Sequence, residues 1–122
     1  MSNPTIEQIY QHYSVRVYRP DPVPADLIET IVAAGQRAST SSNLQAYSIV
    51  AVTAAEKRAR LQKLCGDQQH ISQAPLFLAW CADLSRLERV CQARGYRQVA
   101  DYVENFLVAA VDAALAMQTA AL

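Results

Sequence analysis

Two apolar runs decide the fold, and the more continuous of them reads Pro75-Leu-Phe-Leu-Ala-Trp-Cys-Ala82. The other, Tyr47-Ser-Ile-Val-Ala-Val-Thr53, is rich in β-branched residues and has no charged side chain. Runs of this length and composition are typical of strands that are buried on both faces. The sequence therefore predicts strands over 47–53 and 76–82 that are neighbours in one sheet, with helices covering both faces of that sheet.

Segments with helical periodicity surround the two strands. Thr5-Ile-Glu-Gln8 has the form of a capping box, which predicts a short helix that ends by Tyr13. Further helices are predicted from Asp26 to Gly35, over 54–64, from about Ser85 towards Arg94, and from about Tyr96 to the last residue. The last helix is rich in Ala and is expected to be largely buried. Together these elements predict an α+β fold of three layers, with a mixed sheet flanked by helices.

The composition is that of a folded chain. Of the 122 residues, 52% are hydrophobic and 18% are charged, and only 3 Gly and 5 Pro are present, which excludes disordered and collagen-like classes. This length suits a single domain. Lys and Arg number 11 and Asp and Glu number 11, so the net charge is zero. No basic surface therefore points to a nucleic acid partner.

Three cysteines, at positions 65, 81 and 91, have neither the number nor the spacing of a disulfide framework or a zinc site. This pattern favours a reducing, cytoplasmic setting. The N-terminus has no basic segment followed by an apolar one, so no secretory signal is expected. The apolar run 105–122 has the length of a membrane span, but Asp112 in its middle and its high Ala content argue against a membrane partner.

The last predicted helix has no stop signal of its own. The segment Met117-Gln-Thr-Ala-Ala-Leu122 contains neither the Gly or Asn that usually ends a helix nor a basic side chain of the kind common in a last turn. A sheet of two strands is also marginally stable without further strands or a partner. We therefore expect the sequence to be the front part of a larger fold, completed by a missing C-terminal half or by another chain.

Three polar clusters interrupt the apolar pattern: His12-Tyr-Ser-Val-Arg16, Ser39-Thr-Ser-Ser-Asn-Leu-Gln45 and Gln68-Gln-His70. None has metal-ligand spacing, and neither histidine has an acidic residue at the spacing of a catalytic triad. The first cluster suits a phosphate, because Arg donates two hydrogen bonds at once while Ser and His each donate another. Each of these residues alone is better explained as a solvated loop side chain.

The order of these clusters resembles the nitroreductase family of flavin oxidoreductases. The matching elements are the 12–16 cluster, the run Arg37-Ala-Ser-Thr-Ser-Ser-Asn-Leu-Gln45 leading into a strand, Gly66-Asp-Gln-Gln-His-Ile71, and Phe77-Leu-Ala-Trp-Cys-Ala-Asp83. The likeness is strongest to the branch of oxygen-insensitive NADPH nitroreductases and flavin reductases. It implies a nitroreductase-like fold in which residues 1–122 are the N-terminal part, about half, of a single flavin-binding domain.

The resemblance also implies an FMN site. The residues that it assigns to the cofactor are His12, Ser14 and Arg16 for the phosphate and ribityl chain, Thr40 and Ser41 for the ribityl chain and ring, and Gln68, Gln69 and His70 for contact with the flavin. Tyr13 stands where relatives usually have Arg, so one cationic partner of the phosphate is missing. A hydrogen bond to a charged group contributes about 1.5 to 3 kcal/mol, which predicts FMN binding weaker by about ten- to hundredfold unless the Tyr13 hydroxyl substitutes.

Two functions of different classes follow from these observations. The resemblance implies an FMN-dependent oxidoreductase that takes hydride from NAD(P)H and reduces a small-molecule acceptor such as a nitroaromatic, a quinone or a flavin. It also implies a homodimer, or association with the missing C-terminal half, and an activity that this chain alone is expected to lack. The alternative is a non-catalytic dimerisation module, in which the helix around Phe106-Leu-Val-Ala-Ala-Val111 packs against its own copy.

Overall fold

The computed structural model describes residues 3–122 of the chain. In chain order the elements are α1 (Pro4–Gln11), α2 (Ala25–Gly35), β1 (Tyr47–Val52), α3 (Ala55–Leu64), α4 (Gln69–Gln73), β2 (Phe77–Ala82), α5 (Ser85–Ala93) and α6 (Val103–Ala121), with a short 3-10 helix at Ser41–Asn43. None of the helices in this part of the chain combines the length and the hydropathy that crossing a bilayer requires.

The elements belong to two compact units. The first unit comprises residues 3–28 together with Ala51–Leu78 and Leu122. The second unit comprises Glu29–Val50 and Ala79–Ala121.

The strands β1 and β2 are neighbours in a two-stranded sheet, as the sequence predicts. The Asp83 N–H group, just after β2, donates a hydrogen bond of 2.9 Å to the carbonyl of Ala46, just before β1. Because the end of one strand lies beside the start of the other, the strands run antiparallel. A mixed sheet needs a third strand, so that part of the expectation stays a prediction.

Helix α1 begins differently from the prediction. Asn3, and not Thr5, is the N-cap residue: its side-chain oxygen accepts hydrogen bonds from the N–H groups of Thr5 at 3.0 Å and Ile6 at 3.3 Å. Pro4 then occupies the first helical position, where its fixed φ suits the helix and its missing N–H is no loss. The capping box was therefore a wrong interpretation, although the helix ends at Gln11 as expected.

The second unit has a small core built around close helix packing. Tyr47, Ala113 and Ala116 are buried, and Trp80 packs against them. The rings of Tyr47 and Trp80 are tilted by 42° with centroids 6.2 Å apart, a favourable arrangement for two aromatic side chains. At Gly35 a Cβ atom would lie 2.5 Å from the Trp80 ring and 3.0 Å from the Ala116 carbonyl oxygen. Only glycine fits this point of contact.

Helix α6 buries one stripe and exposes another. Ala109, Asp112, Ala113 and Ala116 recur at helical spacing and are buried. The large apolar side chains on the rest of the helix stay exposed, among them Phe106 at 61%, Leu107 at 54% and Val111 at 52%. The expectation of a largely buried helix is therefore wrong for this chain.

The structure differs from the sequence prediction at two further places, the start of α6 and the presence of α4. The last helix begins at Val103 and not near Tyr96: Gly95, with φ +75°, follows the end of α5, and residues 96–102 form no helix. Helix α4, of five residues, was not predicted, since one and a half turns are too short to show apolar periodicity.

Replacing Gly35 with Ala is expected to destabilise the chain by about 1 to 3 kcal/mol, because the added methyl group would overlap the Trp80 ring. Urea unfolding followed by circular dichroism measures the effect. Ala34→Ser, at an exposed position of the same helix, is the control and is expected to change stability by less than about 0.5 kcal/mol. A Gly35→Ala variant more stable than wild type would contradict this account, since the gain in helix propensity would then exceed the clash.

Candidate functional site

The 12–16 cluster follows directly from the end of α1. His12 is the C-cap residue of that helix, and its backbone N–H donates to the carbonyl of Ile9 at 3.2 Å. The chain then continues without regular structure through Pro20, Pro22 and Pro24, which favour extended backbone. The side chains of the cluster stay exposed, with Tyr13 at 76%.

The polar side chains of this cluster are not used by the fold. Within residues 3–122, those of His12, Tyr13, Ser14 and Arg16 have no hydrogen bond or ion pair. The nearby Arg19, in contrast, is paired with Asp21 at 2.8 Å. Three kinds of donor, a guanidinium, a hydroxyl and an imidazole, are thus available at one exposed segment.

These donors fit the phosphate of FMN. A phosphate monoester carries about 1.5 to 2 negative charges near neutral pH and has three strong acceptor oxygens. Arg16 offers a permanently charged fork, while Ser14 and His12 offer donors that no other group among the described residues takes up. Tyr13 adds a hydroxyl.

Tyr18 is a residue of this region that the sequence analysis did not single out. Its hydroxyl donates a hydrogen bond of 2.8 Å to the carbonyl of Val15, so it fixes the backbone within the 12–16 cluster. Its ring lies 6.5 Å from the His70 ring, at 44° to it. Tyr18 thereby brings the 12–16 cluster near helix α4. In the sequence, Tyr18 belongs only to the alternating segment Val15-Arg-Val-Tyr18, and alternation does not predict a contact with His70.

The cluster 68–70 forms the start of α4. Gln68 is the N-cap residue, and its side-chain amide donates to the carbonyl of Cys65 at 3.0 Å across a turn in which Gly66 and Asp67 have φ of +80° and +59°. Gln69 is exposed and His70 is half-buried. The structure therefore places all three residues in the first unit, with the 12–16 cluster.

His70 and Tyr18 also line an open groove of about 440 Å³ in the first unit. The remaining lining is mainly apolar and comes from Val23, Ile71 and residues 74–78. A groove with apolar walls and few polar groups is the usual form of a site for a small molecule. Gln68, Gln69 and the 12–16 cluster do not line it.

The other predicted residues, Thr40 and Ser41, belong to the second unit and begin a strained loop over residues 40–45. Ser42, Asn43 and Gln45 have φ of 51°, 54° and 50°, in the left-handed region. Such a conformation costs a residue other than glycine on the order of 1 to 3 kcal/mol, and Asn tolerates it best. The surrounding structure must therefore stabilise this loop.

Two contacts fix the 40–45 loop. The Ser41 N–H donates to Oδ1 of Asp112 at 2.9 Å, and the Arg86 guanidinium donates to the carbonyl of Gln45. The hydroxyls of Thr40 and Ser41 have no hydrogen bond to the rest of the described chain. Thr40 is half-buried and Ser41 is exposed.

Asp112 is the second residue that sequence analysis missed. Its side chain is fully buried, at 0% exposure, and its Oδ2 atom has no hydrogen-bond partner within residues 3–122. In the sequence Asp112 is the single charge of the apolar run 105–122, which served above only as an argument against a membrane span.

A separate carboxylate, Asp83, stabilises the end of β2. Its side chain accepts hydrogen bonds from the hydroxyl of Ser48 and from the hydroxyl and N–H of Ser85, the latter two at 2.6 and 3.0 Å. The hydroxyl of Ser48, followed by that of Ser85, lowers the pKa of Asp83 from 3.8 to about 2.

Comparison with known proteins gives a consistent match. The family model described as the nitroreductase family matches residues 9–122. The FMN reductase (NADPH) of Bacillus subtilis is 40% identical over 119 residues, which are 95% of this chain and 47% of that protein. The oxygen-insensitive NADPH nitroreductase of Salmonella typhimurium is 36% identical over 118 residues, or 97% and 48% of the two chains.

Solved structures agree with these relatives. NfrA2 of Bacillus megaterium superposes with a TM-score of 0.94 at 36% identity, over 98% of this chain and 49% of that one. The NADPH:FMN oxidoreductase from Vibrio harveyi, complexed with NAD+, gives a TM-score of 0.88 at 37% identity, over 97% and 50%. The expected α+β fold is confirmed, and the chain spans about half the length of the relatives that it matches.

Ser48→Ala is expected to raise the pKa of Asp83 from about 2 towards 3.8, because the main donor to the carboxylate is removed. The folded pKa of wild type lies below the ordinary value. The carboxylate therefore stabilises the fold fully above a pH of about 4, and this contribution disappears as the pH falls towards about 2. Titration of the Asp83 carboxyl carbon by NMR measures the shift.

Ser72→Ala is the control, since Ser72 donates to Gln69 in α4 and does not contact Asp83. An unchanged pKa of Asp83 in Ser48→Ala would contradict the assigned cause.

Proposed function

We propose that this chain, which belongs to the nitroreductase family, binds the phosphate end of FMN and works in an oxidoreductase that passes electrons from NAD(P)H to a small-molecule acceptor. The acceptor is a nitroaromatic, a quinone or a free flavin. The proposal rests on one observation: the 12–16 cluster presents exposed donors that the fold does not use, in a chain whose relatives are named for FMN, NADPH and nitroreduction.

Arg16 is the principal phosphate residue in this proposal. Its guanidinium is permanently charged and forked, and it has no partner among residues 3–122. Ser14 and His12 complete the set of donors, and Tyr13 contributes a hydroxyl. These side chains bind and orient the cofactor.

Thr40 and Ser41 are proposed to donate to the ribityl chain and ring through hydroxyls that have no other use in the described structure. Gln68, Gln69 and His70 are proposed to contact the flavin. Bound FMN supplies the chemistry, because its ring accepts hydride from NAD(P)H and passes electrons on, while the protein binds and orients it. No side chain of this chain needs to exchange a proton in this role.

We further propose that the exposed stripe of α6 is covered in the functional assembly. Phe106, Leu107, Val111 and Leu115 are between 45% and 61% exposed, although each is a large apolar side chain. An apolar surface of this kind usually marks a contact with another polypeptide. Its partner is a second copy in a homodimer or the remaining half of the family domain, since the chain spans about half of each relative.

The same stripe favours a second candidate function, a non-catalytic dimerisation module. The two candidates differ in colour, because only the flavoprotein has a flavin absorption band. A purified dimer that stays colourless and ignores added FMN would support the module.

Arg16→Ala is expected to weaken FMN binding by about ten- to hundredfold, because it removes a charge-assisted hydrogen bond to the phosphate. Arg60→Ala, at an exposed position of α3, removes the same charge and is the matched control with unchanged affinity expected. Tyr13→Arg adds a cation and is expected to tighten binding. Quenching of FMN fluorescence by the 122-residue chain measures all four affinities. Equal affinities of wild type and Arg16→Ala would contradict the phosphate assignment.

Leu107→Glu is expected to weaken self-association, because it places a charge in the exposed apolar stripe of α6. The fold itself is expected to tolerate the change, since Leu107 is 54% exposed. Sedimentation equilibrium measures the association constant, with Gln118→Glu at an exposed polar position of the same helix as control. A monomeric wild type at high micromolar concentration would rule out the homodimer.

A further inference from the structure

Asp112 lies in an environment that is unfavourable for a carboxylate. It is completely buried between Ala109, Ala113 and Ala116 on the inner stripe of α6. Only one hydrogen bond reaches it from the described residues, from the Ser41 N–H to Oδ1 at 2.9 Å, and Oδ2 has none. A buried polar group with so few partners destabilises a fold relative to an apolar residue of similar size. The fold alone therefore does not explain an acidic residue here.

The single contact of Asp112 is with the 40–45 loop. Three residues of this loop, Ser42, Asn43 and Gln45, have left-handed backbone although none is glycine. The Asp112 carboxylate fixes the start of the loop at Ser41, and the Arg86 guanidinium fixes its end at Gln45. Without a fixed start, the strained residues are free to relax towards ordinary conformations.

We propose that Asp112 is a positioning residue for the cofactor, which rests on the function proposed above. Its carboxylate holds the Ser41 backbone and so sets where the hydroxyls of Thr40 and Ser41 stand relative to FMN. Asp112 acts through the loop and does not itself touch the cofactor. Binding groups must be held within a fraction of an ångström by supporting residues, and Asp112 is such a support.

Two substitutions separate this role from general stability. Asp112→Asn keeps an oxygen that accepts from the Ser41 N–H and replaces the other carboxylate oxygen with an amide nitrogen. Asp112→Ala removes the acceptor altogether. Positioning through this hydrogen bond therefore predicts that the Asn variant retains the loop and the FMN affinity, and that the Ala variant loses both.

The experiment has two measurements on the full 122-residue chain. Hydrogen exchange by NMR reports the protection of the Ser41 amide, and quenching of flavin fluorescence reports the dissociation constant of FMN. We expect Asp112→Ala to lose protection at Ser41 and to bind FMN about tenfold more weakly, while Asp112→Asn stays within about twofold of wild type. Ser48→Ala is the control, because it removes a hydrogen bond to Asp83 in the same unit without contacting Asp112 or Ser41, and its FMN affinity is expected to remain at the wild-type value.

If Asp112→Ala does not fold, Ser41→Pro breaks the same hydrogen bond from the other side. Thr40 already has the extended backbone that a following proline requires, with φ −132° and ψ 150°. Ser41→Ala corrects for the lost hydroxyl, so we expect Ser41→Pro to bind FMN about tenfold more weakly than Ser41→Ala.

Three results would overturn the inference. Unchanged protection of Ser41 in Asp112→Ala would show that the carboxylate does not hold the loop. Lost protection with unchanged FMN affinity would show that the loop position does not matter for the cofactor. An equal loss of affinity in Ser48→Ala would show that stability alone is responsible. Absence of FMN binding by wild type is a different result, since it overturns the proposed function and the cofactor role of Asp112 with it.

Discussion

The close approach of α6 to Gly35 is the constraint on which the second unit depends. The Ala116 carbonyl and the Trp80 ring leave no space for a side chain at position 35. The helix can lie this near only because its inner stripe consists of Ala109, Ala113 and Ala116 together with Asp112. One turn before Ala116, the same stripe places the Asp112 carboxylate within hydrogen-bond distance of Ser41. Small side chains in the core thus determine how the 40–45 loop is held.

The polar side chains of the first unit fall into two sets, those that stabilise local structure and those that do not. Arg19 is paired with Asp21, and the Gln68 amide is bonded to the Cys65 carbonyl, so these groups stabilise local structure. His12, Ser14 and Arg16 have no such use within the described residues. A cluster of donors that contributes nothing to the fold is available for a ligand, and its combination of charge and geometry suits a phosphate.

Much of this fold was predictable because its main elements have strong local signals. The strands are continuous apolar runs, and the helix 55–64 is preceded and followed by clear boundaries. The predictions were wrong where tertiary contacts or a few local residues determine where a helix begins or ends. Asn3 with Pro4 determines the start of α1, and a left-handed Gly95 follows the end of α5, so that α5 and α6 are separated by an irregular segment. Helix α4 is too short for its apolar period to be visible.

The residues of the candidate site also fall into those that could be identified from the sequence and those that could not. The residues of the 12–16 and 68–70 clusters and of Thr40-Ser41 were identified by resemblance, and their roles remain proposals. Tyr18 and Asp112 were missed because the contacts that distinguish them join distant parts of the chain, with His70 in one case and Ser41 in the other. Burial and hydrogen bonding of this kind leave no pattern in a single sequence.

The measurement that tests the central claim most directly is an NMR titration of the 122-residue chain with FMN and, separately, with riboflavin, which has the same ring and ribityl chain but no phosphate. If residues 12–16 bind the phosphate, FMN will shift the amide signals of His12, Ser14 and Arg16, and riboflavin will bind more weakly and leave these signals in place. Equal binding of the two flavins, or FMN binding that leaves the 12–16 signals unchanged, would contradict the account.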